Sequence, residues 1–300
     1  MSFITILFPI FFVFGTGFVA QKYLSLDTKN LSKMAIYVMV PFLVFRTFYE
    51  QTINGAYGYF TVYMVGLCVI IILLATILSR LYKFTEPERC GLVLSSAFMN
   101  NGNYGTPLTF FLFGAAGLEI AIILMVIQQL LMSTLGVFYA AKGSAGNNGV
   151  KMALQTVKRM PMVYAAMAGI GLQLLHVPLG VTFMKGIDFI ADAAIPFIML
   201  TLGMQLANIK LGAIEWKKLC SSLSLKLIVS PMIAAILVMP LPLDPMTKQI
   251  MIIMAATPTA ANTTMYAIQF QTEPQSVSSA TLISTIMSIV TLPVVIYLAM

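Results

Sequence analysis

Residues 95–107 read SSAFMNNGNYGTP. This stretch lies inside an otherwise apolar segment, yet residues 100–107 hold three asparagines, two glycines and a proline. Glycine frees the backbone and proline removes a hydrogen-bond donor, so the stretch predicts a helix that is broken near its middle. At membrane depth, non-helical backbone survives only where it is buried in protein or lines a wet cavity. A broken helix of this kind therefore predicts a polar site inside a membrane.

The composition of the whole chain indicates a membrane protein. Of its 300 residues, 59% are hydrophobic and only 9% are charged, whereas a soluble domain carries about 25% charged residues. Charge-free stretches recur that can span about 30 Å of hydrocarbon, and they leave no room for a soluble domain. The prediction is an all-α membrane protein with ten transmembrane helices over 3–21, 31–50, 56–80, 88–113, 117–140, 160–178, 184–206, 215–240, 246–270 and 274–299.

The basic residues predict the orientation of these helices. Thirteen of the 17 lysines and arginines lie in the loops after helices 1, 3, 5, 7 and 9, while three lie on the opposite side and Lys226 lies within helix 8. Those loops are expected to be cytoplasmic, so both termini face outward from the cell (plasma) membrane. The net charge of +7 follows from this bias and does not indicate nucleic acid. The first segment lacks a basic n-region, which predicts a retained helix rather than a signal peptide.

Three of the predicted helices begin at recognisable caps. Thr85 stands three residues before Glu88, with a proline between them, which predicts a capping box before helix 4. Residues 272–275 (TEPQ) repeat that pattern before helix 10. Asp244, followed by proline, predicts an N-cap before helix 9.

The two halves of the chain repeat each other. GTG at 15–17 and GIG at 169–171 lie 154 positions apart, and PFL at 41–43 and PFI at 196–198 lie 155 apart. Five helices per half means that the second copy is inserted upside down, and inverted repeats with matched broken helices are typical of secondary transporters. The predicted organisation is one transporter domain made of two repeats and a cytoplasmic joining loop, at 1–141, 160–300 and 142–159.

The second broken helix is predicted at the repeat-equivalent place, where residues 256–264 read ATPTAANTT. A half-helix that starts inside the membrane offers free N–H groups to an anion, and the carbonyls of the preceding half can receive a cation. Asparagine side chains supply both donors and acceptors. The alternative is a Gly/Pro kink in which asparagines only hold helices together. The candidate substrate-binding residues are Asn100, Asn101, Gly102, Asn103, Gly105, Pro107, Pro258, Thr259, Asn262 and Thr263.

The segment 100–107 resembles the N-x-G-N-x-G-x-P pattern of the auxin efflux carrier family. Further similarities to that family lie at 196–206 (PFIMLTLGMQL), 256–260 (ATPTA) and 284–288 (STIMS). The resemblance covers essentially the whole chain, and the short joining loop looks like that of the bacterial members that are similar to malate and malonate permeases.

The resemblance implies ten helices in the fold shared with bile acid–sodium symporters and sodium–proton antiporters. It implies that helices 1, 2, 6 and 7 form a scaffold, while helices 3–5 and 8–10 form a moving core whose crossover holds the substrate. The implied function is secondary transport of a small organic anion, such as the dicarboxylates malate or malonate. Sodium-coupled relatives use an acidic residue near the helix 9 crossover, and none lies between Lys248 and Gln271, so sodium coupling there is disfavoured.

Charges inside the membrane are the candidates for ion coupling. Asp188 and Asp192 share one face of helix 7, and Lys226 lies near the middle of helix 8. Ionisable groups at such depth cost about 2.5–3.5 kcal/mol on insertion scales and usually mark a relay or a partner. Proton coupling through Asp192, linked to Lys226, is the hypothesis, and a structural ion pair is the alternative. Arg46 is expected to reach Glu50, four residues on.

Other functional classes are less well supported by the residues. A passive organic-anion channel or facilitator stays open, as does an intramembrane enzyme that uses Asp188 and Asp192. The chain has no H-E-x-x-H or G-x-S-x-G motif and only one histidine, so no enzyme, metal site or cofactor is expected. Gln128 and Gln129 are interpreted as a hydrogen-bonding link between helices. The expected partners are the lipid bilayer, a small organic anion and a coupled proton, with a homodimer as a further candidate.

Overall fold

The computed structural model describes residues 3–51, 55–144, 149–209 and 214–300, and within them all regular secondary structure is helical. The helices carry the prefix α, which separates them from the predicted helices 1–10. Their bounds are α1 Phe3–Leu24, α2 Thr28–Glu50, α3 Ala56–Leu81, α4 Glu86–Ser96, α5 Asn101–Lys142, α6 Gly149–Lys158, α7 Pro161–Leu174, α8 Val181–Asn208, α9 Trp216–Val238, α10 Pro245–Ala255, α11 Ala261–Phe270 and α12 Pro274–Ala299.

Within the described ranges, six of these helices are long and apolar enough to cross a membrane, namely α2, α3, α5, α8, α9 and α12. The segment α5 has 42 residues, about twice the number that crosses the hydrocarbon once. It is interrupted at Gly114, whose φ of 66° and ψ of −152° are not helical. Glycine adopts such a backbone without a steric penalty. The interruption falls between the predicted helices 88–113 and 117–140.

Both helices that carry the polar stretches are broken. The helix α4 ends at Ser96 and α5 begins at Asn101 with a π-helical turn, so residues 97–100 are not helical. The helix α10 ends at Ala255, and α11 begins at Ala261 after the non-helical residues 256–260. These two short connections form the polar centre described below.

Two of the three predicted helix caps are confirmed. The N–H of Thr85 donates to Glu88 Oε2 at 2.7 Å, which closes the capping box of α4. The carboxylate of Asp244 accepts from the N–H of Thr247 at 3.0 Å at the start of α10.

The cap predicted before helix 10 is wrong. Glu273 stands at the N-cap of α12 with a φ of 47° and makes no side-chain cap. Thr272, the predicted cap, instead donates to the carbonyl of Ala140 at 2.5 Å. The side chains of Thr272 and Glu273 thus bond to residues of other helices and do not cap α12.

The helices form two compact units. The first unit consists of Met1–Gly58, Gly102–Val126 and Arg159–Asn208. Its helices α1 and α8 approach so closely that a Cβ on Gly17 would lie 2.1 Å from the carbonyl oxygen of Leu200. Small residues at such positions let helix backbones pack directly against each other in membranes.

The second unit consists of Tyr59–Asn101, Ile127–Lys158 and Ile209–Met300. Its Lys218 in α9 is only 8% exposed and pairs with Glu88 at 2.8 Å and with Glu273 at 3.0 Å. These ion pairs tie α9 to the starts of α4 and α12.

The predicted joining loop 142–159 contains the helix α6, Gly149–Lys158. Residues 145–148 of that loop lie outside the described residues, as do the N-terminal residues 1–2 and the basic loop residue Lys210. The orientation of the chain and the limits of the two repeats stay predictions.

Candidate functional site

The two broken segments cross and pair through their backbones. The N–H of Asn100 donates to the carbonyl of Pro258 at 2.9 Å, and the N–H of Ala260 donates to the carbonyl of Phe98 at 3.1 Å. This is a short antiparallel bridge centred on Met99 and Thr259. The bridge satisfies backbone groups that each helix leaves unpaired where it stops. The structure therefore brings together the predicted site residues Asn100, Asn101, Pro258 and Thr259 in the second unit.

The threonine hydroxyls at this crossing are used to hold it together. Thr259 is fully buried, and its hydroxyl donates to the carbonyl of Ser95 at 2.6 Å. Thr257 donates to the carbonyl of Met254 at 2.8 Å, and the hydroxyl of Thr263 donates to the carbonyl of Ala260 at 2.7 Å. Of the predicted site residues, Thr259 and Thr263 thus have hydroxyls that are already engaged.

Two asparagines, Asn100 and Asn262, differ from these threonines because each has a buried amide atom without a hydrogen-bond partner among the described residues. Asn100 is 4% exposed, and its Nδ2 group has no hydrogen-bond partner among the described residues. The Oδ1 atom of Asn262 is also buried without a partner in that part of the chain. Asn262 lies in the first turn of α11, whose N-terminus has no side-chain cap. Of these two atoms only Asn100 Nδ2 is a donor, and unpaired N–H donors and helix N-termini are the groups that bind carboxylates.

Gln128 is a second buried amide, and the sequence did not mark it as a candidate site residue. It is 2% exposed, and neither its Oε1 nor its Nε2 atom has a partner among the described residues, so the interpretation as a link between helices does not fit it. The part of α5 around it runs beside the first break, because Met125 lies 3.4 Å from the Cβ position of Gly102 and Gly136 lies equally close to the ring of Phe98. From the sequence alone, a polar residue in an apolar helix that bonds to another helix cannot be told from one that binds a ligand.

The remaining predicted residues of the first break belong to the first unit. Residues 102–107 follow directly on Asn101 and contain Gly102, Asn103, Gly105 and Pro107. Tyr104 anchors this turn, because it is fully buried with its ring centroid 5.3 Å from that of Phe14.

The acidic candidates pair with an arginine. In the first unit, Arg46 Nη1 lies 2.7 Å from Asp192 Oδ1 and 3.5 Å from Asp188 Oδ1. The expected ion pair between Arg46 and Glu50 is wrong, because the aspartates of α8 take the guanidinium instead. The three charged groups line a cavity of about 400 Å³ together with Glu50 and Glu119.

Lys226 is fully buried in the second unit. Its Nζ group donates to the carbonyl of Ala255 at 3.1 Å, at the end of α10 and next to the second break. Its predicted link to Asp192 stays a prediction. Among the described residues, no three His, Cys, Asp or Glu side chains are grouped so that they could hold a metal ion.

Comparisons with known proteins identify membrane transporters as the relatives of this chain. Residues 2–296 match the model of a family described as "Membrane transport protein". The chain is 27% identical to an "Uncharacterized transporter" of Methanothermobacter thermautotrophicus, over 89% of this chain and 87% of the relative. It is 24% identical to an uncharacterized transporter of Methanocaldococcus jannaschii, over 87% of this chain and 86% of that relative.

Proposed function

Since the chain belongs to the auxin efflux carrier family of membrane transport proteins, we propose that it is a secondary carrier of a small organic anion in the cell membrane. The proposed substrate class is a dicarboxylate such as malate or malonate. The proposed mechanism is alternating access, with the substrate held where the two broken segments cross.

The proposed architecture is the ten-helix inverted repeat. It is supported by the six long apolar helices, by the interruption of α5 at Gly114 and by the two breaks. The first unit contains the predicted helices 1, 2, 6 and 7, which supports their role as a scaffold. The second unit contains the predicted helices 3, 8, 9 and 10, which supports their role in a moving core, whereas 102–126 group with the first unit.

The observation that carries the substrate class is the unpaired amide of Asn100 at the crossing, together with that of Gln128 in α5. Asn100 Nδ2 and Gln128 Nε2 are buried donors without partners among the described residues. Each unsatisfied buried group costs about 1–3 kcal/mol, which a bound carboxylate would offset by accepting from both. A site of amides and helix ends supplies hydrogen-bond donors to an anion.

Proton coupling is proposed to run through Asp192, with Asp188 and Lys226 as further candidates. An Asp192→Asn carrier is expected to lose the pH dependence of uptake, because the carboxylate that binds the proton is gone. Unchanged pH dependence in this variant would remove Asp192 from the mechanism. A second copy of the chain is a further proposed partner, and light scattering of the purified protein measures that assembly.

A passive facilitator is the alternative transport function, and it would equilibrate the anion without accumulating it. An intramembrane enzyme that uses Asp188 and Asp192 is a weaker alternative. Catalytic carboxylate pairs share a proton because they face each other, whereas both of these contact the guanidinium of Arg46.

A thermal-shift screen of the purified protein against carboxylates tests the proposed site. A ligand at about 100 times its Kd stabilises the folded state by about 2.7 kcal/mol, which is a rise in Tm of roughly 5–10 °C for a chain of this size. We expect malate or malonate to raise the Tm of the wild type and to raise that of Asn100→Ala much less.

Asn208→Ala is the matched control. Asn208 is also an asparagine between helices, but its amide is fully used, since Nδ2 donates to Thr28 at 3.0 Å and Oδ1 accepts from Gln21 at 3.2 Å. The carboxylate-induced shift should persist in this variant. Equal shifts in both variants would place the ligand elsewhere, and no shift of the wild type by any carboxylate would contradict the substrate class.

A further inference from the structure

The half-helix α10 ends inside the protein, where its last carbonyls need partners. Residues 256–257 satisfy the carbonyls before the final one through their N–H groups and the Thr257 hydroxyl. The final carbonyl, that of Ala255, accepts instead from Lys226 Nζ and from Ser230 Oγ, both at 3.1 Å. A lysine of another helix therefore closes the end of α10.

Lys226 holds this position without a carboxylate. Its side chain is fully buried, and within the described part of the chain no Asp or Glu oxygen lies within 4.0 Å of its Nζ group. The one titratable group of the described residues that interacts with it electrostatically is the Cys68 thiol of α3. A buried charge is normally paired, so the balancing group here is the negative end of the α10 dipole.

The local backbone of α9 is built for this contact. Residues Ser224–Val229 form a π-helical stretch, and Ser230 follows it directly. Lys226 and Ser230 lie four residues apart, and both donate to the same carbonyl oxygen from one face of the helix.

We infer that Lys226 is a tethered cation that takes the place of a bound monovalent metal ion at the carbonyl end of α10. In transporters with broken helices, carbonyls at such ends coordinate the coupling cation. The Lys226 ammonium carries the same single charge and meets the same kind of oxygen ligands, a backbone carbonyl and a neighbouring hydroxyl. The inference rests on the proposed crossover and gives a physical reason for a carrier that needs no sodium there. Removal of the ammonium leaves a site for an alkali cation or a small amine.

The test measures the Tm of purified wild type and Lys226→Ala in choline, sodium and methylammonium chloride at equal ionic strength. The wild type should unfold at the same temperature in all three salts. Lys226→Ala should unfold about 5 °C or more below the wild type in choline, and sodium or methylammonium should recover much of that loss. If the variant yields folded protein only when it is purified in sodium or methylammonium, that result supports the inference equally.

Lys248→Ala is the matched control, because Lys248 also donates to a backbone carbonyl, that of Met239 at 3.2 Å, but it is an exposed contact in the first turn of α10. Its Tm should not depend on the cation. Lys226→Met, which keeps the length of the side chain without the charge, should be less stable than the wild type in every salt.

Three results would overturn the inference. They are a sodium-dependent Tm of the wild type, a Lys226→Ala protein that no small cation stabilises, and a Lys226→Met protein as stable as the wild type. These measurements use no transported substrate. A result that contradicts the role of Lys226 is therefore distinguishable from a result of the carboxylate screen that contradicts the proposed substrate class.

Discussion

Replacement of Gly17 by alanine tests the packing of α1 against α8. The added Cβ would lie 2.1 Å from the carbonyl oxygen of Leu200, whereas ordinary contacts are 3.4–4 Å. The obstacle is backbone, so the helices must separate by more than 1 Å rather than rotate a side chain. The approach is reciprocal, because a Cβ on Gly203 would lie 2.0 Å from the carbonyl oxygen of Phe14.

Gly17→Ala changes the free energy of unfolding through two opposing effects. Forcing an extra carbon into a packed core costs about 1–3 kcal/mol, while alanine gains about 0.5–1 kcal/mol over glycine within a helix. The net loss for Gly17→Ala is about 0–2.5 kcal/mol with a centre near 1 kcal/mol, which lowers the Tm by roughly 2–4 °C at about 2–4 °C per kcal/mol. Gly15 lies two residues earlier in the same helix with no atom within 4 Å of its Cβ position, so only the gain applies to Gly15→Ala.

The assay is thermal unfolding of the two purified variants beside the wild type in one detergent. Gly17→Ala should unfold at a lower temperature and Gly15→Ala at an equal or higher one. If the two variants have the same stability, the close approach of α1 and α8 is refuted.

Three further predictions concern helix ends and orientation. Asp244→Ala removes the cap that binds Thr247 and should cost about 0.5–1 kcal/mol at pH 7. Burial raises the Asp244 pKa, but hydrogen bonds from Thr247 outweigh it and hold the pKa below its ordinary value of 3.8. The cap thus stabilises fully above pH 3.8 and is lost as the pH falls through the lower folded pKa, so the Tm difference between variant and wild type should shrink with acid; a constant difference would contradict the cap. Gln271→Gly should raise the Tm, because residue 271 has a φ of 56°, a backbone conformation that is about 1 kcal/mol less favourable for other residue types than for glycine. A lower Tm would show that the turn is not strained. In a cysteine-free background, an impermeant thiol reagent should label Met300→Cys in intact cells and Lys83→Cys only after permeabilisation, and the reverse pattern would invert the predicted orientation.

Most helix positions could be predicted because charged residues are excluded from the lipid hydrocarbon and therefore mark the ends of the apolar helices. The helix predicted at 274–299 is observed as Pro274–Ala299, since Glu273 marks where the apolar run begins. The presence of the breaks was predictable for a related reason, because asparagine, glycine and proline are unfavourable in a helix exposed to lipid. The extent of the first break was not, since residues 97–100 are non-helical whereas 101–107 belong to α5. The cap at Thr272 was not predictable, because its hydroxyl bonds the carbonyl of Ala140, 132 residues away.

The site could be predicted only as a set of candidates. The sequence identifies Asn100 and Thr259 alike as polar residues at a break, yet the structure leaves the amide of the first unpaired and uses the hydroxyl of the second. Likewise, Arg46 has acidic residues available both along its own helix and across the first unit, and only tertiary packing selects Asp192. Gln128 has no local signal at all. Each of these outcomes depends on distances between segments far apart in the chain.

Proton-driven transport through the crossing is measured by uptake of radiolabelled malate and malonate into proteoliposomes with an acidic exterior. We expect accumulation above the external concentration, collapse of that accumulation by a protonophore, and strongly reduced uptake in Asn100→Ala but not in Asn208→Ala. Uptake that stops at equilibrium would identify a passive facilitator, and it would contradict a carrier driven by protons through a crossing of two broken helices.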